Sequence, residues 1–189
     1  MSKHTWREVA AFFAGFLRNP GRNGSIVPSS PRLTEAMIAG LPWDRIGTLV
    51  ELGPGVGTFT DAIMARVRPD ARVILVEVDP GYAAHLAARH GARATVERAS
   101  AADLDAILAR HRIDTPDCIV SGLPLASLPV AVSGRIADHI RRYVGRGTIY
   151  RSFTYRPGRT LRFFGDGVLT YRSRIIWANF PPAVVLGAN

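Results

Sequence analysis

Cysteine is almost missing from this chain. Cys118 stands alone, so no intrachain disulfide can brace the fold, and a reducing compartment is expected. Lysine is nearly missing as well, because 23 of the 24 basic residues are arginine. No long hydrophobic run is present either. The longest weakly polar stretch, 119–134, is broken by Pro124 and Pro129 and falls short of the roughly 20 apolar residues that a spanning helix needs. No charged segment followed by a short apolar stretch and a cleavage site opens the chain, so no leader is expected. Acid is scarce at both ends. Residues 1–45 carry six basic and three acidic side chains, 46–134 eight and ten, and 135–189 ten and two. The net charge of +9 therefore sits on two flanks around a mildly acidic centre. Such segregation suits a polyanionic partner, either a phosphate backbone or anionic lipid headgroups.

With 189 residues, 47% of them hydrophobic, the chain can build one sizeable core. Residues 4–18 repeat at helical spacing: Trp6, Val9, Ala10, Phe12, Phe13, Phe16 and Leu17 share one face and Arg7, Glu8, Gly15 and Arg18 the other. Asn19-Pro20-Gly21 stops that helix. Ser29-Ser30-Pro31 then opens a short helix running to about residue 39. From residue 47 apolar runs of strand length (48–52, 72–77, 93–97, 117–121 and near 148–155) alternate with helical stretches near 57–67, 81–90, 101–111 and 130–144. Near-continuous apolar strands alternating with helices predict a mostly parallel sheet covered on both faces, a Rossmann-like α/β fold. Gly165-Asp166-Gly167 is a turn signal, and 168–177 has the β-branched and aromatic content of late, antiparallel strands. Residues 156–167 fit coil, strand or a short helix equally.

Between the first strand and the first helix lies Glu51-Leu52-Gly53-Pro54-Gly55-Val56-Gly57. This is the crevice position of open α/β sheets, where glycine lets the backbone turn sharply and a ligand approach without a Cβ in the way. The spacing Gly53-x-Gly55-x-Gly57 differs from the G-x-G-x-x-G of dinucleotide folds, and Glu51 ahead of it suits a cationic ligand better than a pyrophosphate. The second strand ends on Glu77, about 20 residues on, where an acid can accept hydrogen bonds from both ribose hydroxyls. His85, His90, His111 and His139 follow no metal-ligand spacing, and no metal is expected. Cys118, inside an apolar strand, reads as inert core.

The glycine run resembles motif I of the class I S-adenosylmethionine-dependent methyltransferases. The resemblance implies that Gly53, Gly55 and Gly57 lie against the methionine part of the cofactor and that Glu77 holds the ribose. Ser100 and Ala101, after the third strand, would border the adenine, Ser100 standing where many relatives have an aspartate. Val78 and Ser121 complete this expected cofactor site together with Glu51. Two subfamilies share the pattern, the ribosomal RNA adenine dimethyltransferases and the bacterial phospholipid N-methyltransferases. Where the RNA enzymes have Asn-Leu-Pro-Tyr after the fourth strand, gripping and stacking on a flipped base, this chain has Ser121-Gly122-Leu123-Pro124-Leu125, with neither amide nor ring. That run is similar to the phospholipid N-methyltransferases. So are Leu17-Arg18-Asn19-Pro20, Ile26-Val27-Pro28-Ser29-Ser30 and Asn179-Phe180-Pro181-Pro182-Ala183.

The resemblance implies one methyltransferase domain over 1–189, with a membrane-contacting segment at 1–22 and a cofactor-binding core at 23–189. Its methyl donor would be S-adenosylmethionine, with S-adenosylhomocysteine as product. Its acceptor would be the amino headgroup of phosphatidylethanolamine and its methylated intermediates, on the way to phosphatidylcholine. Trp6, Phe12, Phe13, Phe16, Leu17 and Arg18 would meet an anionic phospholipid surface, and Gly122, Leu123 and Pro124 the substrate. A cytoplasmic protein, peripheral on the cytoplasmic membrane, is expected. The amine must lose a proton before it attacks the sulfonium methyl, and Tyr155 and His139 are the candidate bases. The competing readings are an RNA adenine N6-methyltransferase and a membrane- or anion-binding module with a relict cofactor pocket.

Overall fold

The computed structural model describes residues 29–173, 175–179 and 181–189. The N-terminal amphipathic segment read from the sequence lies outside them.

The first described helix, α1 (Pro31–Ile38), starts where a serine can cap it. The Ser30 hydroxyl accepts from the Leu33 amide at 3.2 Å, and Pro31 occupies the first turn. Strand and helix then alternate: β1 (Thr48–Leu52), α2 (Thr58–Met64), β2 (Arg72–Glu77), α3 (Pro80–His90), β3 (Thr95–Arg98), a 3-10 turn (Ala101–Asp103), α4 (Leu104–Arg110), β4 (Cys118–Ser121), α5 (Val130–Val144) and β5 (Ile149–Thr154). A short helix α6 (Pro157–Leu161), a two-residue strand β6 (Thr170–Tyr171) and β7 (Val184–Ala188) complete it.

The seven strands form one sheet in the order β3-β2-β1-β4-β5-β7-β6. The first five are parallel, and β7 pairs antiparallel with both β5 and β6. This is the Rossmann-like α/β architecture that the alternation of strands and helices predicted. Side chains alternate between the two faces. Leu49, Leu75, Cys118, Val120 and Val185 face α1, α2 and α3, while Val50, Leu52, Ile74, Val76, Ile119 and Leu186 face α4 and α5. Cys118 is buried in this core, where desolvation pushes its thiol up to about 12, which makes it inert.

Three details depart from the sequence reading. Strand β3 begins at Thr95 because Arg93 and Ala94 donate their amides to the His90 carbonyl and prolong the turn after α3. Within 168–177 only Thr170 and Tyr171 form a strand; Ile176 adds an isolated bridge to Ala183. The strand that seals this edge is β7, an apolar run that the sequence reading passed over behind Pro181-Pro182. Among the described residues no helix is long and apolar enough to cross a membrane.

The sheet changes direction between β1 and β4: chain order runs outward to β3 on one side and outward to β5 on the other. Connections leave that point to opposite faces, so a crevice opens beyond the carboxyl ends of β1 and β4. The loops flanking it approach until only glycine fits. A Cβ on Gly122 would stand 2.7 Å from the Gly53 carbonyl oxygen, a backbone atom that cannot swing aside. Gly122→Ala is expected to lower the unfolding free energy by about 1–3 kcal/mol through overpacking. Gly134→Ala, in α5 with no atom within 4 Å of the new methyl group, should raise it by about 0.4–1 kcal/mol. Chemical denaturation of the two variants checks the contrast.

Candidate active site

The three glycines after β1 do three different jobs. Gly53, at φ +67°, is crowded: a Cβ there would lie 2.3 Å from Leu123 Cδ2. Gly57, at φ +88°, starts α2, and a Cβ would lie 3.2 Å from Leu86 Cδ2. Gly55, at φ +57°, is different, since nothing lies within 4 Å of the position its Cβ would take. Of the three, Gly55 alone keeps its space open toward a ligand, and all three need the left-handed backbone that glycine adopts without strain.

One carboxylate holds this loop from beneath and a second holds the helix that follows it. Glu77, at the end of β2 and 1% exposed, accepts from the Gly55 amide at 3.0 Å through one oxygen and from the Asp79 amide at 2.9 Å through the other. Burial raises its pKa, opposed by those N–H groups. Asp79 in turn caps α3 by accepting from the amides of Gly81 and Tyr82. Glu51 is fully buried near the end of β1, and its Oε2 accepts from the Thr60 hydroxyl of α2 at 2.7 Å. Its Oε1 has no partner. Desolvation pushes the Glu51 carboxyl from 4.5 up to about 8, against the lowering effect of Thr60. A buried oxygen without a partner costs about 1–3 kcal/mol, and a cationic ligand would both satisfy it and favour its ionised form. That orphan and the open Gly55 fit the ammonium-bearing cofactor that the sequence motif implies.

A cleft opens beside the loop. Its lining includes Gly53, Glu77, Val78, Ser100 and Ala101, five of the residues singled out from the sequence, with Leu123 of the post-β4 segment across from them. The rest of the wall is apolar: Val76, Ala99, Leu128, and Val132 and Ile136 of α5. The α5 contribution was missed by sequence reasoning, although α5's amphipathic pattern was visible; which stripe of a helix meets a cleft is decided by tertiary packing. Thr60 was missed for the same reason. The Ser100 hydroxyl accepts from the Ala102 amide at 3.2 Å and so caps the 3-10 turn. Ser121 is buried, its hydroxyl accepting from the Leu123 amide at 3.3 Å. Gly122 and Pro124 flank Leu123 without lining the cleft themselves.

The two candidate bases stand apart from this lining. His139 of α5 has Nε2 3.0 Å from the Ala102 carbonyl oxygen and Nδ1 3.1 Å from Asp105 Oδ1, so both ring nitrogens are engaged. Tyr155 follows β5, where burial raises its phenol and the Asn179 amide donates to it at 3.4 Å. Of the other histidines, His111 meets Glu97 at 2.6 Å and His90 lies 3.2 Å from Asp61. Trp6, Phe12, Phe13, Phe16, Leu17 and Arg18 lie outside the described residues.

Comparison with known proteins follows the same line. The chain is 32% identical over 183 residues to the ornithine lipid N-methyltransferase of Singulisphaera acidiphila, covering 94% of this chain and 93% of that protein. No family model matches it. Among solved structures, 1,6-didemethyltoxoflavin-N1-methyltransferase from Burkholderia thailandensis, with bound S-adenosylhomocysteine, superposes with a TM-score of 0.65 at 15% identity, covering 100% of this chain and 90% of that one. An rRNA-methylase structure from Clostridium thermocellum gives 0.57 at 16% identity over 75% of this chain and 86% of that one. At these identities the likeness is one of fold.

The Glu51 carboxyl makes the ligand-free protein sensitive to pH. Between pH 4.5 and about 8 the folded state holds a proton on Glu51 that the unfolded state has released. Stability therefore falls as pH rises through that window, and the contribution levels off above it. Glu51→Gln should flatten this decline. Thermal unfolding of both proteins from pH 5 to about 8.5, without cofactor, is the check; an equally steep decline in the variant would assign it to other groups.

Proposed function

The chain belongs to the family of the ornithine lipid N-methyltransferase, class I enzymes that use S-adenosylmethionine, and from that premise we propose that it methylates the primary amine of a membrane aminolipid. Phosphatidylethanolamine is the acceptor its motifs suggest. Ornithine lipid is the second reading, favoured by the relative just described.

The observation that carries this reading is the post-β4 segment. Leu123 packs on Gly53 and lines the cleft opposite Glu77 and Ser100, where a nucleobase methyltransferase of related motif would present an amide and an aromatic ring. An apolar wall of Leu123, Leu128, Val132 and Ile136 offers a base no ring to stack on and no amide, and it suits the neck of a lipid headgroup. The cofactor residues are those read from the sequence: Gly55 gives the methionine part room, Glu51 takes its cationic end, Glu77 takes the ribose, and Val78, Ser100 and Ala101 border the adenine. Gly53, Gly57, Gly122 and Ser121 shape the loops that hold them.

When bound, the cofactor supplies an electrophilic methyl group on a sulfonium. The chain's task is then to align a neutral amine and exclude water. A free lipid amine resembles lysine, with a pKa of about 10, and is charged at neutral pH. The apolar wall disfavours that charge and so lowers the amine's pKa, releasing the proton toward solvent without a dedicated base. No covalent catalysis by the chain is required.

The test incubates the full chain with methyl-labelled S-adenosylmethionine and vesicles carrying phosphatidylethanolamine, vesicles carrying ornithine lipid, or ribosomal RNA. Label is expected in the lipid extract, and the vesicle that takes it up decides between the two lipids. Label confined to RNA would overturn the proposal. Gly55→Val should abolish S-adenosylhomocysteine binding in calorimetry while the variant stays folded. The φ of +57° costs a side chain about 1–2 kcal/mol there, but no protein atom blocks it. A folded variant that binds as tightly as the parent would remove the glycine loop from the cofactor site.

A further inference from the structure

Most arginines of the described chain are spoken for. Arg66, Arg68, Arg89, Arg110, Arg135, Arg141, Arg142 and Arg146 each meet a carboxylate, and Arg151 is buried with its guanidinium on the Tyr150 and Ala188 carbonyls. Arg32, Arg98 and Arg112 are scattered exceptions, and the segment after β5 gathers three more in one place. Arg156, Arg159 and Arg162, spaced by three along α6 and its ends, are all exposed and have no side-chain partner among the described residues. Exposed Arg172, beyond β6, likewise has none. Asp166 is the one acid in the last 51 residues, so the sequence offers this region almost nothing to neutralise them.

An apolar feature accompanies the charge. Trp177 is 75% exposed, Tyr171 57% and Ile175 51%, Tyr171 closing β6 and the other two in the segment between β6 and β7. Asn179 joins the two features. Its side chain is buried, it donates to the Tyr155 hydroxyl at 3.4 Å and to the Pro181 carbonyl at 2.9 Å, and it accepts from the Ser30 amide at 3.0 Å. The Trp177–Asn179 turn is thereby fastened to the end of β5, where Arg156 begins the arginine series, and to the start of α1. The carboxyl end of β5 is also the side of the sheet on which the cleft opens.

We propose that Arg156, Arg159 and Arg162 together with Trp177 form a docking surface for an anionic phospholipid bilayer, separate from the N-terminal segment. The chemistry of each part matches one layer of such a surface. Guanidinium groups pair with lipid phosphates, often through two hydrogen bonds. Tryptophan settles at the depth of the headgroups, with its ring in the apolar boundary and its N–H toward water. Fixed to the end of β5, the surface holds the cleft's side of the sheet against the bilayer, where a lipid amine is found. The occupant rests on the lipid reading of the active site, so the test uses vesicles that hold no acceptor amine.

Flotation of the full chain with vesicles of phosphatidylcholine and phosphatidylglycerol, compared with phosphatidylcholine alone, reads the binding. Replacing Arg156, Arg159 and Arg162 by glutamine should weaken binding to the anionic vesicles by about fivefold per charge, about a hundredfold for the three. Trp177→Ala should weaken it by about tenfold. Melting temperature and S-adenosylhomocysteine affinity should stay at parent values in both. Parental vesicle binding by the folded arginine triple, with loss of binding only in Phe13→Ser with Phe16→Ser, would overturn the proposal and assign docking to the N-terminal segment. It would be overturned equally if the triple lost affinity for single-stranded RNA while keeping its affinity for vesicles. Failure of the lipid reading itself would appear separately, as vesicle binding without methyl transfer to any lipid.

Discussion

The clamp on the glycine turn after β1 is the constraint from which the site follows. The turn passes between β2 and β4, and both neighbours hold it: the Gly53 amide donates to the Val76 carbonyl at 2.9 Å, the Gly55 amide to Glu77 at 3.0 Å, and the Gly122 amide to the Leu52 carbonyl at 2.8 Å. Leu123 closes against Gly53 from the β4 side. With three points fixed, Gly55 is the one glycine of the turn whose Cβ position has no atom within 4 Å. An opening bounded in this way has little freedom to collapse, so its shape exists before any ligand arrives, which lowers the ordering cost of binding.

Charge is distributed on the same logic. Glu51 and Glu77 are buried on adjacent parallel strands, in a protein of net charge +9. Desolvation is the largest cause for both, and repulsion from Glu77 adds a smaller increment at Glu51. Burying carboxylates is unfavourable unless they are paired. Glu77 is paired with backbone amides and Glu51 only by half, with one oxygen on Thr60 and one on nothing. An unsatisfied group in an otherwise well-packed sheet is the kind of local deficit found at functional sites. A cationic ligand there would satisfy the free oxygen, while the arginines, buried Arg151 apart, stay toward the surface.

What the sequence made legible was whatever depends on neighbours in the chain. The parallel strands announce themselves as apolar runs, because burial on both faces removes the need for polar positions. Ser30-Pro31 and the glycine turn are local chemistry and were readable for the same reason. Glu51, Glu77 and Gly55 stood out because each departs from the apolar pattern at a strand end. The remainder depends on contacts distant in sequence. Strand β3 starts two residues late because helix α3 ends in a turn that takes Arg93 and Ala94. Strand β7 hid behind Pro181-Pro182, which read as loop punctuation, and 168–177 carries the composition of a strand but pairs continuously at only two residues, with Ile176 adding an isolated bridge. Thr60 beneath Glu51 and the α5 residues along the cleft become site residues only through packing.

Asn179 shows how far such distant contacts reach. The family resemblance grouped Asn179-Phe180-Pro181-Pro182-Ala183 with Ile26-Val27-Pro28-Ser29-Ser30 and with the post-β4 run, without a physical reason for their association. The side chain of Asn179 supplies one, since it bonds Ser30, 149 positions away, and Tyr155, 24 positions away. A buried amide has two donors and an acceptor to satisfy, and here all are used between three segments that no regular element connects. Tyr155, edge-on to Phe153, which is itself edge-on to Phe59 of α2, extends the same contact into the core beneath the cleft. Residues that looked like separate signatures are thus one joint, by which the start of α1, the end of β5 and the approach to β7 keep a fixed relation to the active site.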